Sequence, residues 1–381
     1  MEIRPFFIPI FQIWFSQFDR CCLCSGHYPR SISDLCAMLE DKDRTELSEL
    51  GEFGLIDRIA KSVELNQKST VKGIGDDAAV LGTGKQKTLI STDLLMEGIH
   101  FDLSYVPLKH LGYKAVAVNL SDIYAMNGKP TQITVSLGLS SRFPLEAIDE
   151  LYTGILLACD KYNVDLVGGD TTSSISGLTI SITAIGEANE DIIAYRNGAK
   201  ETDLICVSGD LGAAYLGLQL LEREKAIFKE NPEIQPDLSG HDYVLERQLK
   251  PEPRADIVDI LELEKVVPTS MIDVSDGLSS DLMHICTQSE VGCRIYVEKL
   301  PIDHTSAIAA EELNLDTTVC ALNGGEDYEL LFTVDLKDYE RIKDNPAIRV
   351  IGHITDKGDG YNLVSHDQII PLTAQGWKHL D

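Results

Sequence analysis

Apolar positions fall into helical register over GEFGLIDRIAKSVE (51–64), where Phe53, Ile56 and Ile59 recur at three-residue spacing. TLISTD (88–93) is a short apolar run turning polar, which predicts a strand opening into a site. LKHLGYKAVAVNLSDIYAMNGK (108–129) predicts a long helix stopping at Asn127-Gly128. TQITVSLGL (131–139) predicts a strand, PLEAIDELYTGILLACDKYN (144–163) an amphipathic helix, and VDLVGGD (164–170) a strand running into a glycine turn. GLTISITAIGEA (177–188) alternates as a strand does. After a break at 188–202, DLICVSGDLGAAYLGLQLL (203–221) predicts strand, glycine turn and helix. TSMIDVSD followed by GLSSDLMHICTQSE (269–290) repeats that order. CRIYVEKL, EDYELLFTV and AIRVIGHIT are further strands, whereas the charged, proline-bearing stretch 225–256 predicts an insertion or linking arm. Strands and helices mix in both halves, so the class is α/β or α+β.

A length of 381 residues suits two ordinary domains, and 44% hydrophobic with 25% charged residues suits a globular chain. The net charge of −28 repels nucleic acid and anionic membranes, so neither is expected as a partner. Cys159, Cys206, Cys286, Cys293 and Cys320 lie mostly in apolar runs. They read as buried thiols of a reducing cytoplasm, with no zinc site expected from them. Residues 1–45 differ from the rest. Phe6, Phe7, Phe11, Trp14 and Phe15 crowd a run too short to span a bilayer and broken by Pro5 and Pro9. They are expected to be an extension outside the fold, disordered or translated from upstream of a start at Met38, and dispensable for activity.

Acidic residues recur at the predicted strand ends: Asp76-Asp77, Ser91-Thr92-Asp93 and Asp273-Val274-Ser275-Asp276. Asp122 lies in a helix, and glycine turns GGD (168–170) and GGED (324–327) add more acids. Any one of them reads as a helix cap or turn former. Taken together they are less easily all caps. If several converge, each close pair repels by about 4 kcal/mol at intermediate dielectric, so converging carboxylates imply a hard cation such as Mg²⁺. GIGDDA (73–78) loosely fits a dinucleotide fingerprint. Two carboxylates replace bare amides there, and no helix follows, so that reading is set aside. Walker A and kinase H-R-D or D-F-G patterns are absent from the sequence. Any phosphate chemistry must therefore run through magnesium.

GIGDDAAVL, STDLLMEGIHF, YKAVAVNLSDIYAMNGKP, VGGDTT, RNGAK, IDVSDGLSSDL and NGGEDYELLF, in this order and spacing, resemble the thiamine-monophosphate kinase family from about Glu46 onward. The resemblance implies the two-domain aminoimidazole ribonucleotide synthetase-like fold. Its N-terminal Mg-ATP-binding domain (46–190) has a mixed sheet that dimerises, and its C-terminal α/β domain (191–381) completes the site. It implies ATP-dependent phosphorylation of thiamine monophosphate to thiamine diphosphate by a cytoplasmic homodimer. It further implies several Mg²⁺ ions held by Asp77, Ser91, Thr92, Asp93, Asp122, Asp170, Asp273 and Asp276. ATP is assigned to Tyr152, Gly169, Asp170, Arg196 and Ser275, and thiamine monophosphate to His100, Glu326 and Trp377.

The acceptor is a phosphate monoester with a second pKa of about 6, already mostly ionised at neutral pH, so no catalytic base is expected. Several assignments keep a structural alternative on the residues alone. Arg196 reads equally as a turn arginine, Tyr152 as a half-buried helix residue, His100 as a hydrogen-bonded histidine, Glu326 as a cap, and Trp377 as a packing anchor. Lys72 is given no role. The rival activities are another ATP-dependent enzyme of the same superfamily and a Mg-nucleotide scaffold that does not turn over. The intact acidic set speaks against the scaffold.

Overall fold

The computed structural model describes residues 47–366 and 368–374. The extension 1–45 and Trp377 lie outside the described residues. The N-terminal half comprises α1 (Leu47–Ser62), β1 (Thr70–Lys72), β2 (Ala79–Leu81), β3 (Gln86–Met96), α2 (Leu108–Ala125), β4 (Lys129–Leu139), α3 (Leu145–Tyr162), β5 (Asp165–Ser173) and β6 (Leu178–Asn189). Its six strands form one mixed sheet in the order β1-β2-β3-β6-β4-β5, with β4 and β5 parallel. The second half runs β7 (Leu204–Ser208), α4 (Ala213–Glu230), α5 (Asp242–Leu249), α6 (Ala255–Glu264), β8 (Ser270–Asp273), α7 (Leu278–Ser289) and β9 (Gly292–Tyr296). It continues with α8 (His304–Glu312), α9 (Thr317–Asn323), β10 (Leu330–Val334), α10 (Tyr339–Ile342), β11 (Ile348–Thr355), β12 (Tyr361–Ser365) and β13 (Gln368–Pro371). These strands form a seven-stranded sheet in the order β13-β12-β9-β11-β7-β10-β8. Among the described residues, no helix is long and apolar enough to cross a membrane.

Helix α2 joins the halves. Fourteen of its residues are buried, including the polar Lys114, Asn119 and Ser121. A helix apolar on nearly every side must be covered on nearly every side. One flank of α2 packs on β3, β4 and β6, and another meets β8 of the second sheet. The buried core accordingly continues from Leu89, Ile133 and Ile180 into Met271, Leu330 and Phe332. Among the described residues nothing covers the opposite face of the first sheet, where Leu94 and Met96 are exposed.

Helices α2 and α3 cross at unusually short range because each offers a glycine to the other. A Cβ on Gly112 would lie 2.0 Å from the Leu151 carbonyl oxygen, and one on Gly154 would lie 1.9 Å from that of Lys109. Gly154→Ala is therefore expected to cost about 1–3 kcal/mol through overpacking, despite the better helix propensity of alanine. Urea unfolding checks this, and unchanged stability would contradict it.

Five local expectations are corrected. The strand at 88–93 extends to Gln86–Met96, so Asp93 lies inside β3 and not at its end. The predicted glycine turn GGD is strand: Gly168, Gly169 and Asp170 lie inside β5, paired with Thr134, Val135 and Ser136. Gly169 is needed because a Cβ would sit 1.8 Å from the Val135 carbonyl oxygen. The helix expected over 51–64 is present but ends at Ser62, and it is preceded by a turn of helix from Leu47 that breaks at Gly51, where φ is 65°. The strand drawn from residue 326 begins only at Leu330, because Glu326 (φ 66°) and Tyr328 (φ 51°) are left-handed and cannot extend a ladder. The charged stretch 225–256 is no free arm: it carries the end of α4, all of α5 and the start of α6. Its Glu252 accepts from Tyr113 (2.6 Å) and pairs with Lys161 (2.6 Å) of the other half.

Candidate active site

Strand alternation on β3 decides which side chains face α2. Ser91 and Asp93 share the covered face, while Thr92 between them is exposed. Ser91 donates its hydroxyl proton to the carboxylate of Asp122 on α2, and the Asp93 amide donates to Asn119 Oδ1 at 3.0 Å. The Thr92 hydroxyl instead donates to the Ile182 carbonyl at 3.0 Å. Asp273 is the last residue of β8, and the Ser121 hydroxyl donates to it at 2.6 Å. Asp77 closes the loop between β1 and β2 and is buried. Asp77, Asp122 and Asp273 thus present carboxylate oxygens that all lie within 4.8 Å of one another, contributed by both halves of the molecule.

The electrostatics follow from this crowding. Burial raises the Asp93 carboxyl to about 6, helped by the charge of Asp77. Asp273 is lifted to about 7, chiefly by burial and then by Asp77, against the hydrogen bond from Ser121. Asp122 is raised well above the ordinary carboxylate range by burial and then by Asp93, Asp273 and Asp77. One cation already answers part of this field. Arg196 donates to Asp77 Oδ1 from its terminal nitrogen at 2.6 Å and from Nε at 3.2 Å. The other oxygen, Asp77 Oδ2, is buried with no hydrogen-bond donor among the described residues. A buried carboxylate oxygen without a donor, beside two further carboxylates, fits a hard divalent ion with oxygen ligands. Lys72, given no role above, pairs with Asp76 at 3.2 Å, and the Arg196 amide donates to the same carboxylate at 3.1 Å. The loop is thereby tied down from two sides.

Asp170 is not among these three carboxylates. It lies in an open pocket of about 540 Å³ together with Tyr152, Val135, Leu166 and Gly168-Gly169. The nucleotide-assigned Tyr152, Gly169 and Asp170 therefore share one wall, built by β4, α3 and the edge strand β5. Ser275 and Asp276 follow β8. The Ser275 carbonyl accepts from the Glu326 amide at 2.8 Å, and the Asp276 amide donates to Asp281 at 3.3 Å. His100 sits in the loop after β3, where its Nδ1 accepts from the Met96 amide at 3.0 Å. That loop is moored to α4: Asp102 meets Lys225 at 2.8 Å, and Tyr105 donates to Glu222 at 2.8 Å. The hydrogen bond from Lys225 holds the Asp102 carboxyl low, at about 2.

Sequence reasoning missed several groups. Asp281 is buried in the first turn of α7 and reaches back to the Asp276 and Gly277 amides; burial, then the charges of Asp276 and Asp273, raises its carboxyl well above the ordinary range. A helix-start acid four residues after Gly277 was the available signal. Lys114 and Gln248 hold Glu326 from two sides, at 3.0 Å and 2.8 Å. Nothing in the sequence distinguishes them from surface residues.

Residues 75–188 match the family described as AIR synthase related protein, N-terminal domain. A thiamine-monophosphate kinase of Buchnera aphidicola subsp. Schizaphis graminum is 38% identical over 342 residues, covering 87% of this chain and 99% of the relative. The thiamine-monophosphate kinase of Aquifex aeolicus is 36% identical over 336 residues, with the same coverage of both chains. Among solved structures, AaThiL complexed with AMPPCP and TMP superposes with a TM-score of 0.76 at 33% identity. It covers 89% of this chain and 100% of that one. The hydrogenase maturation protein HypE in complex with ATP has a TM-score of 0.60, covering 87% of this chain and 98% of that one; at 18% identity it shares the fold alone.

Proposed function

The chain belongs to the thiamine-monophosphate kinase family, and on that premise we propose how its residues divide the work of one reaction. The reaction transfers the γ-phosphoryl group of ATP to thiamine monophosphate, giving thiamine diphosphate and ADP. The observation that carries the assignment of residues is the convergence of Asp77, Asp122 and Asp273 on one point between the two halves. Two polyanions must meet there, and neither needs deprotonation, so the problem is charge and position rather than proton transfer. Asp77, Asp122 and Asp273, with Ser91 and Asp93 behind them, would hold Mg²⁺ ions, and Asp170 and Asp276 extend the set outward. When bound, such ions offset the charge that gathers on the phosphoryl oxygens.

The chain's own groups do the rest. Tyr152, Gly169 and Asp170 line the pocket proposed for the nucleotide. Arg196, held on Asp77 by a hydrogen bond of 2.6 Å, would be released to clamp a phosphate oxygen once that carboxylate has another partner. Ser91 and Ser121 fix the rotamers of Asp122 and Asp273 by donating to them. His100 and Glu326 are assigned to the acceptor, where a carboxylate suits a cationic thiazolium. The hydroxyl of Thr92 has no part in this, since it faces the other side of the sheet. A homodimer formed through the open sheet face is part of the proposal, supported by the exposed Leu94 and Met96 there. The test is chromatographic. With Mg-ATP and thiamine monophosphate the protein should form thiamine diphosphate and ADP in equal amounts, and none in EDTA. ATP binding without product would replace this reading by that of a nucleotide-binding scaffold.

A further inference from the structure

We propose that Lys114 is a positioning residue for the acceptor, reaching across the halves of the molecule to fix the Glu326 carboxylate at a set distance from the three-carboxylate centre. The proposal rests on the reading of Glu326 as an acceptor-binding residue. Lys114 is 5% exposed, a rare state for a lysine, so its charge must be met by fixed partners. Two are present. Its ammonium lies 3.0 Å from Glu326 Oε1 and donates to the Gln248 carbonyl at 3.0 Å. The Gln248 side chain in turn donates to Glu326 Oε2 at 2.8 Å, so each carboxylate oxygen has its own donor. One donor comes from α2 of the first half and the other from α5 of the second.

The turn that carries Glu326 is built to be held. Glu326 is left-handed, and a Cβ on Gly325 before it would lie 2.5 Å from the Ser275 carbonyl oxygen. Arg247, adjacent to Gln248 on α5, pairs with Glu329 at 2.9 Å on the other side of the turn. A carboxylate pinned on both oxygens, on a turn with little freedom, is a fixed point. Yet its side chain keeps 29% exposure, so one face of it remains open to a ligand.

Helix α2 turns this fixed point into a distance. Lys114 and Asp122 lie on the same helix, eight residues apart. At about 1.5 Å per residue they are separated along the axis by roughly 12 Å. The helix thus sets the separation between the carboxylate assigned to the acceptor's ring system and the centre assigned to its phosphate. Such a device selects an acceptor of one length.

The test compares three proteins: Lys114→Met, Glu326→Gln and the double variant. Methionine matches the length of lysine, and Glu326 stays open to water, so no sealed charge is left behind. Circular dichroism and AMPPCP affinity verify the fold, and Lys114→Gln serves in its place if the methionine protein is unstable. Calorimetry with Mg-AMPPCP present then gives the Kd for thiamine monophosphate. Each single variant is expected to weaken that Kd by about tenfold, the value of one charge-assisted hydrogen bond. AMPPCP affinity should stay within about twofold, and the double variant should be little worse than either single one, as for residues acting through one contact. If Glu326→Gln weakens thiamine monophosphate while Lys114→Met changes only thermal stability, or weakens both ligands alike, the positioning role is wrong. Additive losses in the double variant refute it as well. If Glu326→Gln leaves the Kd unchanged, the acceptor reading of Glu326 fails, and this proposal falls with it.

Discussion

Asp122→Asn is expected to reduce turnover by about 10³-fold or more while leaving the fold intact. Asp122 stands where α2 meets both β3 and β8, and one of its oxygens lies within 4.8 Å of one oxygen each of Asp77 and Asp273. Asparagine keeps the shape and can still accept the hydroxyl of Ser91. What it removes is the third carboxylate of a group whose burial and crowding already raise Asp122 and Asp273 and whose ionised forms, repelling by about 4 kcal/mol per close pair at intermediate dielectric, call for a cation beyond Arg196. The metal-free variant should therefore melt no lower than the parent, and Mg²⁺ should no longer raise its melting temperature. A variant that keeps full turnover at low Mg²⁺ would contradict the role given to this cluster.

Gly169→Ala is the second large effect. The added methyl would sit 1.8 Å from the Val135 carbonyl oxygen, so β5 must part from β4 in the wall of the pocket. Because β5 is an edge strand, it can yield without unravelling the sheet, at an overpacking cost of about 1–3 kcal/mol. The nucleotide pocket takes the damage. AMPPCP affinity is expected to fall by at least about tenfold, equivalent to ~1.4 kcal/mol, in equilibrium binding. Gly84→Ala, in the β2–β3 turn where a methyl meets no atom of the described residues within 4 Å, is the matched control. Equal affinities in both variants would remove Gly169 from the nucleotide wall.

The class of fold was legible because periodicity and stop signals are local. Asn127, left-handed at 54°, ends α2 and turns the chain into β4 as its sequence suggests. The errors came where tertiary pairing overrides local chemistry. Gly168-Gly169 reads as a turn in isolation, but β4 approaches so closely that only glycine can continue the strand. The charged stretch 225–256 reads as solvent-facing. Its charges instead find partners on the other half, as Glu252 does in Tyr113 and Lys161.

The site divided along the same line. Asp77 and Asp273 are acids beside turns, whereas Asp122 lies within a helix, in the stretch YKAVAVNLSDIYAMNGKP. Ordered motifs named the residues, but that Asp77, Asp122 and Asp273 meet is a property of how α2 is clamped between two sheets. Thr92 was grouped with Ser91 and Asp93 by adjacency, and strand alternation sends its hydroxyl away. Lys114 carries no mark in the sequence, since a lysine in a helix is ordinarily a surface residue; it is buried beside its partners Gln248 and Glu326 of the second half.

Following the γ-phosphoryl group itself is the most direct test of direct transfer between two substrates. With the protein in excess over γ-labelled Mg-ATP, no label should become attached to the chain before thiamine monophosphate is added. After addition, the label should move to the terminal phosphate of thiamine diphosphate, one for each ADP formed. Label released as free phosphate while thiamine monophosphate remains unchanged, or label held covalently on the protein, would contradict the account.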